Sequence, residues 1–215
     1  ADATLDFAPM VVITGQGGTG RLALSESHQV IDLTALFAPV TKLPQTLADA
    51  AEIPGAVAEA VRTATAPRPG AVHLSLPEDV AAQTVTARPL PLPAPVQFTA
   101  QPQSIAGAAT ALAAAKAPII VAGAGVVRAG IAAEVTEFAE THDLPVVTTF
   151  MGNGILPVTH PLALGTFGQP FEDPADQAIK AADLVVAIGF DAIETAPTGF
   201  SDSHLPRALH IAETP

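Results

Sequence analysis

The sequence contains no cysteine, no tryptophan and no tyrosine, and only nine of its 215 residues are lysine or arginine, against 21 aspartates and glutamates. The absence of cysteine excludes disulfides and thiolate chemistry, and we predict a cytoplasmic protein. The formal net charge of −12, without aromatic residues interleaved with basic ones, argues against nucleic-acid and anionic-membrane partners. No apolar run approaches the roughly 20 residues that cross a bilayer.

The amino-acid composition is typical of a globular protein. Hydrophobic residues make up 49% of the chain and charged residues 14%, so the chain can bury a large core in one or two domains. The sequence does not begin with Met, and its first strand-like run, "MVVIT", starts at Met10. The last such run, "ALHIAE", ends two residues before the final residue. Core strands this close to both ends predict a fragment of a longer protein.

The first 86 residues have the pattern strand, loop, helix, helix, strand. "MVVIT" predicts a buried strand that stops at Gly15, and "AVHLSL" predicts the second strand. Between them, "HQVIDLTALFAPV" has the apolar spacing of a helix. A further helix is predicted over residues 53–64, with an apolar stripe formed by Ile53, Val57, Val61 and Ala64.

A proline-rich segment follows this first part. Residues 87–102 contain five prolines, and each fixes φ and removes a backbone donor, so we predict an extended linker. The predicted domains are therefore residues 1–86 and 103–215.

The second part alternates strand and helix patterns. The strand-like runs are "PIIVAG", "LPVVTTF", "DLVVAIG" and "ALHIAE", and helices are predicted over residues 104–115, 131–142 and 175–182. Residues 151–174 read as a long loop. Strands separated by helices of this length predict right-handed crossovers and a parallel sheet. The predicted fold class is therefore α/β, with open, Rossmann-like parallel sheets that carry helices on both faces.

A glycine-rich turn follows the first of these strands. In "VAGAGVVRAG", Gly123 and Gly125 would allow a phosphate to approach backbone N–H groups at a helix N-terminus. The spacing departs from the dinucleotide fingerprint, because the third glycine is Gly130. Both a tight turn between strand and helix and a bound dinucleotide remain open.

Histidines and acidic pairs give weaker signals. The six histidines show no metal-ligand spacing, so we predict no metal site. His73 alternates with apolar residues, which predicts a structural histidine whose ring is hydrogen-bonded inside the core. His28 follows a glycine-rich loop at the start of a helix, where polar site residues are well placed. Glu78 and Asp79 are adjacent, so their side chains diverge, which favours loop charges and helix caps.

Five segments in this order resemble the large subunit of acetolactate synthase and related thiamine-diphosphate enzymes. "PMVVITGQ", "HQVIDLTALFAPVTK" and "RPGAVHLSLPEDV" are similar to the last part of that family's N-terminal, pyrimidine-binding domain. "PIIVAGAGVVRAG" and "LPVVTTFMGNGILPVTHPLALGTFG", followed by "AADLVVAIG", are similar to its central domain. The resemblance implies decarboxylation of pyruvate and its ligation to 2-acetolactate, in a homodimer or homotetramer with thiamine diphosphate and Mg²⁺.

The resemblance also implies roles for particular residues. His28 and Gln29 take catalytic positions in it. The substrate-channel positions are Gln16, Lys42 and Glu78. The cofactor-lining positions are Arg68, Gly123, Gly125, Thr149, Phe150 and Met151. The family's catalytic glutamate and its G-D-G magnesium motif have no counterpart in this sequence, so we expect the chain to be inactive by itself.

The departures from the family pattern concern FAD. Flavin-containing members have an arginine where this sequence reads "GFDAIE" and a histidine where it reads "GTFG". We therefore predict a central domain without FAD. The alternatives are an FAD-binding structural module, and another thiamine-diphosphate enzyme such as a relative of oxalyl-CoA or sulfopyruvate decarboxylases.

Overall fold

A computed structural model describes residues 1–22, 24, 30–92, 94, 99–168, 173–194 and 207–212. The chain forms two compact units, Ala1–Gln97 and Phe98–Pro215. His28 and Gln29, the two residues with predicted catalytic roles, lie outside the described residues. Within the described ranges, every helix is too short or too polar to cross a membrane.

Unit 1 is built on a three-stranded parallel sheet in the order β1-β3-β2. Its elements are α1 (Asp2–Leu5), β1 (Met10–Gln16), α2 (Leu33–Phe37), β2 (Pro44–Thr46), α3 (Ile53–Thr65), β3 (Ala71–Pro77) and α4 (Glu78–Ala81). The sequence did not indicate β2, which has only three residues and begins with a proline. Its edge position tolerates the missing proline N–H.

Helix α3 confirms the predicted helix over residues 53–64, but its buried face differs from the predicted one. Ala56, Ala60 and Ala64 are buried, whereas Val57 is 39% exposed. Ala60 and Ala64 pack with Val72 and other apolar residues of the sheet. The predicted stripe is therefore correct for Ala64, which is buried, and for Ile53, which packs against a core cluster. It is wrong for Val57, whose place on the buried face is taken by Ala56 and Ala60.

Unit 2 contains a five-stranded parallel sheet in the order β6-β5-β4-β7-β8. Its strands are β4 (Pro118–Ala122), β5 (Val146–Thr148), β6 (Ala163–Thr166), β7 (Leu184–Ile188) and β8 (Arg207–Ile211). Its helices are α5 (Pro102–Ala114), α6 (Ala124–Ala129), α7 (Ala132–His142) and α8 (Pro174–Ala181).

Both faces of this sheet are covered. Ile120 of β4 belongs to the cluster that contains Val135 of α7. Its neighbour Ile119 belongs to a second cluster, together with Ile179 of α8. Successive side chains of a strand point to opposite faces, so the two helices lie on opposite sides of the sheet. The predicted α/β class with parallel strands and helices on both faces is confirmed.

Strand β6 corrects the prediction of a continuous loop over residues 151–174. It is an edge strand whose pairing with β5 is irregular between Val146 and Val147. Gly165 has φ +99° and Leu164 is 39% exposed, so the strand lacks the alternation of buried side chains that marks a core strand. The sequence signal for β6 was weak because backbone pairing rather than side-chain burial defines it.

Candidate functional site

Two predicted channel residues lie at the carboxyl edge of the unit 1 sheet. Gln16 ends β1 opposite Pro77, which ends β3, and the residue is only 9% exposed. Glu78 follows Pro77 directly, as the first residue of α4. The carboxyl ends of parallel strands are where open α/β sheets place ligands. The structure thus brings Gln16 and Glu78 to an edge that is suited to binding.

Asp79 fixes the glycine loop that leaves β1 at this edge. Its Oδ1 accepts the Thr19 N–H at 2.9 Å, and its Oδ2 accepts the Thr19 hydroxyl at 2.5 Å. Glu78 Oε1 accepts the Gly18 N–H at 3.4 Å. The side-chain and backbone hydrogen bonds from Thr19 lower the pKa of Asp79. The two carboxylates therefore hold the loop at Gly18 and Thr19. This agrees with the interpretation of Glu78 and Asp79 as loop charges.

Sequence reasoning did not include Asp79 among the site residues, although a signal was present. Asp79 lies in the first turn of α4, directly after β3. A carboxylate there can accept backbone N–H groups, either from its own helix or from a loop of the neighbouring strand. The sequence alone does not show which loop that is, because Thr19 and Asp79 are 60 residues apart.

We expect Asp79→Ala to loosen the loop at residues 18 and 19 without unfolding unit 1. The variant removes both acceptors of Thr19, so the Thr19 amide should exchange with deuterium several-fold faster. Hydrogen exchange measured by NMR would show this. Asp6→Ala, which removes the same charge from an exposed position of the same unit, is the control. Equal Thr19 exchange in both variants would contradict the assigned role of Asp79.

Lys42 and Arg68 lie together at the opposite edge of the same sheet. Lys42 Nζ donates to the Arg68 carbonyl at 3.0 Å, and partial burial lowers the pKa of this ammonium group. Arg68, with φ +54°, precedes β3, and its guanidinium lies 4.9 Å from the centre of the Phe7 ring. Because β3 is seven residues long, this edge is roughly 20 Å from Glu78. The structure of unit 1 therefore does not bring Lys42 and Arg68 to Gln16 and Glu78.

In unit 2, the predicted glycine turn joins β4 to α6. The Gly123 N–H donates to the Ile188 carbonyl at 2.9 Å, and the Gly125 N–H donates to the Gly189 carbonyl at 2.8 Å. A Cβ atom on Gly125 would lie 2.6 Å from Gly189 Cα, and one on Gly123 would lie 2.6 Å from the Gly189 oxygen. The two glycines thus let the turn pack against the backbone that leaves β7. This contact supports the interpretation as a tight turn.

Glu194, the last residue of the segment "GFDAIE", completes this edge of the sheet, although it was not among the predicted site residues. Its Oε2 accepts the Ala124 N–H at 2.9 Å and the Thr149 hydroxyl at 2.6 Å. Its Oε1 accepts the Asp191 N–H at 3.0 Å. One carboxylate therefore ties together the segments that follow three neighbouring strands, β4, β5 and β7.

The predicted cofactor-lining residues after β5 have two different environments. Thr149 is fully buried, and its Oγ1 also accepts the Gly152 N–H at 2.9 Å. Phe150 and Met151 are 52% and 49% exposed. The structure brings Thr149 together with Gly123 and the other residues around Glu194, and it leaves Phe150 and Met151 at the surface.

A family comparison identifies the chain. The family model "Thiamine pyrophosphate enzyme, central domain" matches residues 105–215. The chain therefore belongs to the thiamine pyrophosphate enzyme family, as the sequence motifs predicted.

Individual relatives include acetolactate synthases and a glyoxylate carboligase of Escherichia coli O157:H7, the latter 35% identical over 193 residues, covering 87% of this chain and 32% of that protein. The chain is 37% identical over 196 residues to a protein of Methanocaldococcus jannaschii assigned as an acetolactate synthase large subunit, covering 88% of this chain and 33% of that protein. It is 37% identical over 216 residues to the acetolactate synthase large subunit of Corynebacterium glutamicum, covering 98% and 34%. The chain spans about a third of the length of these curated relatives.

A solved structure supports the same thiamine-diphosphate family. An X-ray structure from Mycobacterium smegmatis, assigned as a thiamin diphosphate-dependent enzyme, matches with a TM-score of 0.77 and 27% sequence identity. The match covers 97% of this chain and 41% of that chain.

Proposed function

We propose that the protein carrying this chain is a thiamine-diphosphate-dependent acetolactate synthase, which decarboxylates pyruvate and joins the resulting two-carbon unit to a second pyruvate. The observation that carries the proposal is the 37% identity to the Corynebacterium glutamicum large subunit across 98% of the chain. The family model for residues 105–215 supports the same class.

In this proposal each unit of the chain has its own role. Unit 1 is the last part of the pyrimidine-binding domain, and its carboxyl edge, with Gln16 and Glu78, faces the substrate channel. His28 and Gln29 act near the reacting atoms. Unit 2 is the central domain. Lys42 and Arg68 lie at the amino edge of the unit 1 sheet, so the proposal does not place them with Gln16 and Glu78. Lys42 supports the turn before β3 through its hydrogen bond to the Arg68 carbonyl.

The described residues do not supply a site for thiamine diphosphate with Mg²⁺. Within these residues, no three His, Cys, Asp or Glu side chains lie together as potential metal ligands. The sequence contains no G-D-G motif. Because the fit fails here, the proposal places both groups in the complete protein and assigns their diphosphate and metal ligands to other residues.

The complete protein should form acetolactate from pyruvate when Mg²⁺ and thiamine diphosphate are added, measured as acetoin after acid treatment. His28→Ala should lower turnover about 100-fold if His28 exchanges protons with the reacting groups. His142→Ala changes an exposed histidine of α7 and is the matched control, with unchanged turnover expected.

Other outcomes of this assay would redirect the proposal. A complete protein that ignores pyruvate but consumes glyoxylate, oxalyl-CoA or sulfopyruvate would be a different member of the family. Equal turnover of the two histidine variants would remove His28 from the catalytic residues.

We propose a homodimer or homotetramer for the complete protein, which sedimentation of the purified enzyme would test. The absence of cysteine supports a cytoplasmic location, because no disulfide is needed for folding.

A further inference from the structure

The glycine turn after β4 is the place where a Rossmann-like sheet receives the phosphates of a dinucleotide. Such a site works because free backbone N–H groups at the start of the helix point at the anion. In unit 2 the three successive N–H groups of Gly123, Ala124 and Gly125 all have acceptors within the chain. Two of these acceptors are carbonyls of the backbone that leaves β7, and the third is the Glu194 carboxylate.

The Glu194 carboxylate occupies the position that an anion would take. Besides the Ala124 N–H at 2.9 Å, it accepts the Thr149 hydroxyl at 2.6 Å and the Asp191 N–H at 3.0 Å. Glu194 Oε1 lies so near Gly123 that a Cβ atom there would come within 2.9 Å of it. Both carboxylate oxygens are therefore bonded, and the space above the turn is filled by a side chain of the same unit.

We propose that Glu194 acts as a built-in ligand that closes this turn, so that unit 2 does not bind FAD or another dinucleotide there. A diphosphate could enter only after the three hydrogen bonds of Glu194 had broken. The displaced carboxylate would then lie beside a second anion, and like charges at short range repel. The residues present thus do not fit the flavin that some members of the family carry. This inference concerns unit 2 alone and is independent of the proposed carboligation.

The first experiment uses the unaltered chain and FAD or ADP as probes. The purified chain should show no absorbance near 450 nm after incubation with FAD and gel filtration. Its melting temperature should stay within about 1 °C when 1 mM FAD or ADP is added, whereas a ligand at ten times its Kd would raise it by several degrees. A yellow protein, or a rise of several degrees, would overturn the proposal.

The second experiment removes the carboxylate. Glu194→Ala should lower the melting temperature by about 5 °C or more, because Ala124, Thr149 and Asp191 lose a charged acceptor. Sodium acetate at 100 mM should recover part of this loss, and sodium chloride at the same concentration should not. Glu137→Ala, which removes an exposed carboxylate from α7, is the control and should show neither effect.

The two experiments test different parts of the proposal: the variants test whether Glu194 holds the turn, and the unaltered chain tests whether the turn binds FAD. Equal melting temperatures for Glu194→Ala and Glu137→Ala would show that the carboxylate does not hold the turn, and the proposal would fail. If Glu194→Ala does not fold at all, the loss agrees with the proposal, and FAD binding by the unaltered chain still decides whether the turn is closed.

Discussion

Replacement of Gly189 by alanine should cost unit 2 about 3 kcal/mol of its free energy of unfolding. Gly189 has φ +59°, a conformation that is unfavourable for residues with a Cβ atom. The new Cβ would also lie 2.4 Å from the Val126 nitrogen and 2.7 Å from the Gly125 carbonyl carbon. Both neighbours are backbone atoms of the glycine turn, so neither can move without displacing the start of α6.

Urea unfolding followed by far-UV circular dichroism is the suitable measurement, because the chain has no tryptophan or tyrosine for fluorescence. Gly107→Ala is the matched control. Gly107 lies inside α5, and a Cβ placed there would meet no atom within 4 Å apart from its chain neighbours and the backbone of its own helix, so this variant should gain about 0.5–1 kcal/mol. If Gly189→Ala is as stable as the unaltered chain, the glycine turn between β4 and α6 does not pack against Gly189 as described.

The central strands of unit 2 could be predicted because their buried side chains appear in the sequence as short runs of apolar residues. Every residue of β7 is buried, and four of the five residues of β4 are. Strand β2 could not be predicted in the same way, because its three residues are half-buried and backbone pairing alone defines it. The same reason explains the missed edge strand β6.

The glycine turn shows where sequence reasoning about the site stops. The spacing of Gly123 and Gly125 left a phosphate site and a tight turn as alternatives. What favours the turn is its packing against the Gly189 backbone together with a contact to Glu194, which is 70 residues from Ala124 and 45 residues from Thr149 along the chain. No local pattern contains these contacts, because they depend on the sheet order that brings β4, β5 and β7 side by side.

His73 carries the second large prediction, because it is a fully buried ionisable group in unit 1. Its ring stacks on Phe37, with 3.8 Å between centroids, and its Nε2 lies 2.9 Å from Thr14 Oγ1. Its Nδ1 has no hydrogen-bond partner among the described residues, and the same holds for the hydroxyl of fully buried Ser75. The prediction of a hydrogen-bonded structural histidine is therefore correct for one ring nitrogen only.

Burial lowers the pKa of His73, and this determines how the stability of unit 1 should depend on pH. The unfolded chain titrates near the ordinary histidine pKa of about 6.5, so below that pH it binds one more proton than the folded unit. The free energy of unfolding should then fall with decreasing pH, by at most about 1.4 kcal/mol per pH unit, until the folded histidine also becomes protonated. Above about pH 7 this contribution should be constant.

The measurement is the pH dependence of urea unfolding between pH 5 and 8, compared between the unaltered chain and two variants. His73→Gln removes the titrating group and should flatten the fall in the free energy of unfolding below about pH 6.5. His142→Gln, which changes an exposed histidine of unit 2, is the control for the loss of one imidazole. Parallel curves for all three proteins would contradict the prediction. If His73→Gln does not fold, an NMR titration of the His73 ring still decides, because a midpoint above pH 6.5 would show that burial does not keep this imidazole neutral.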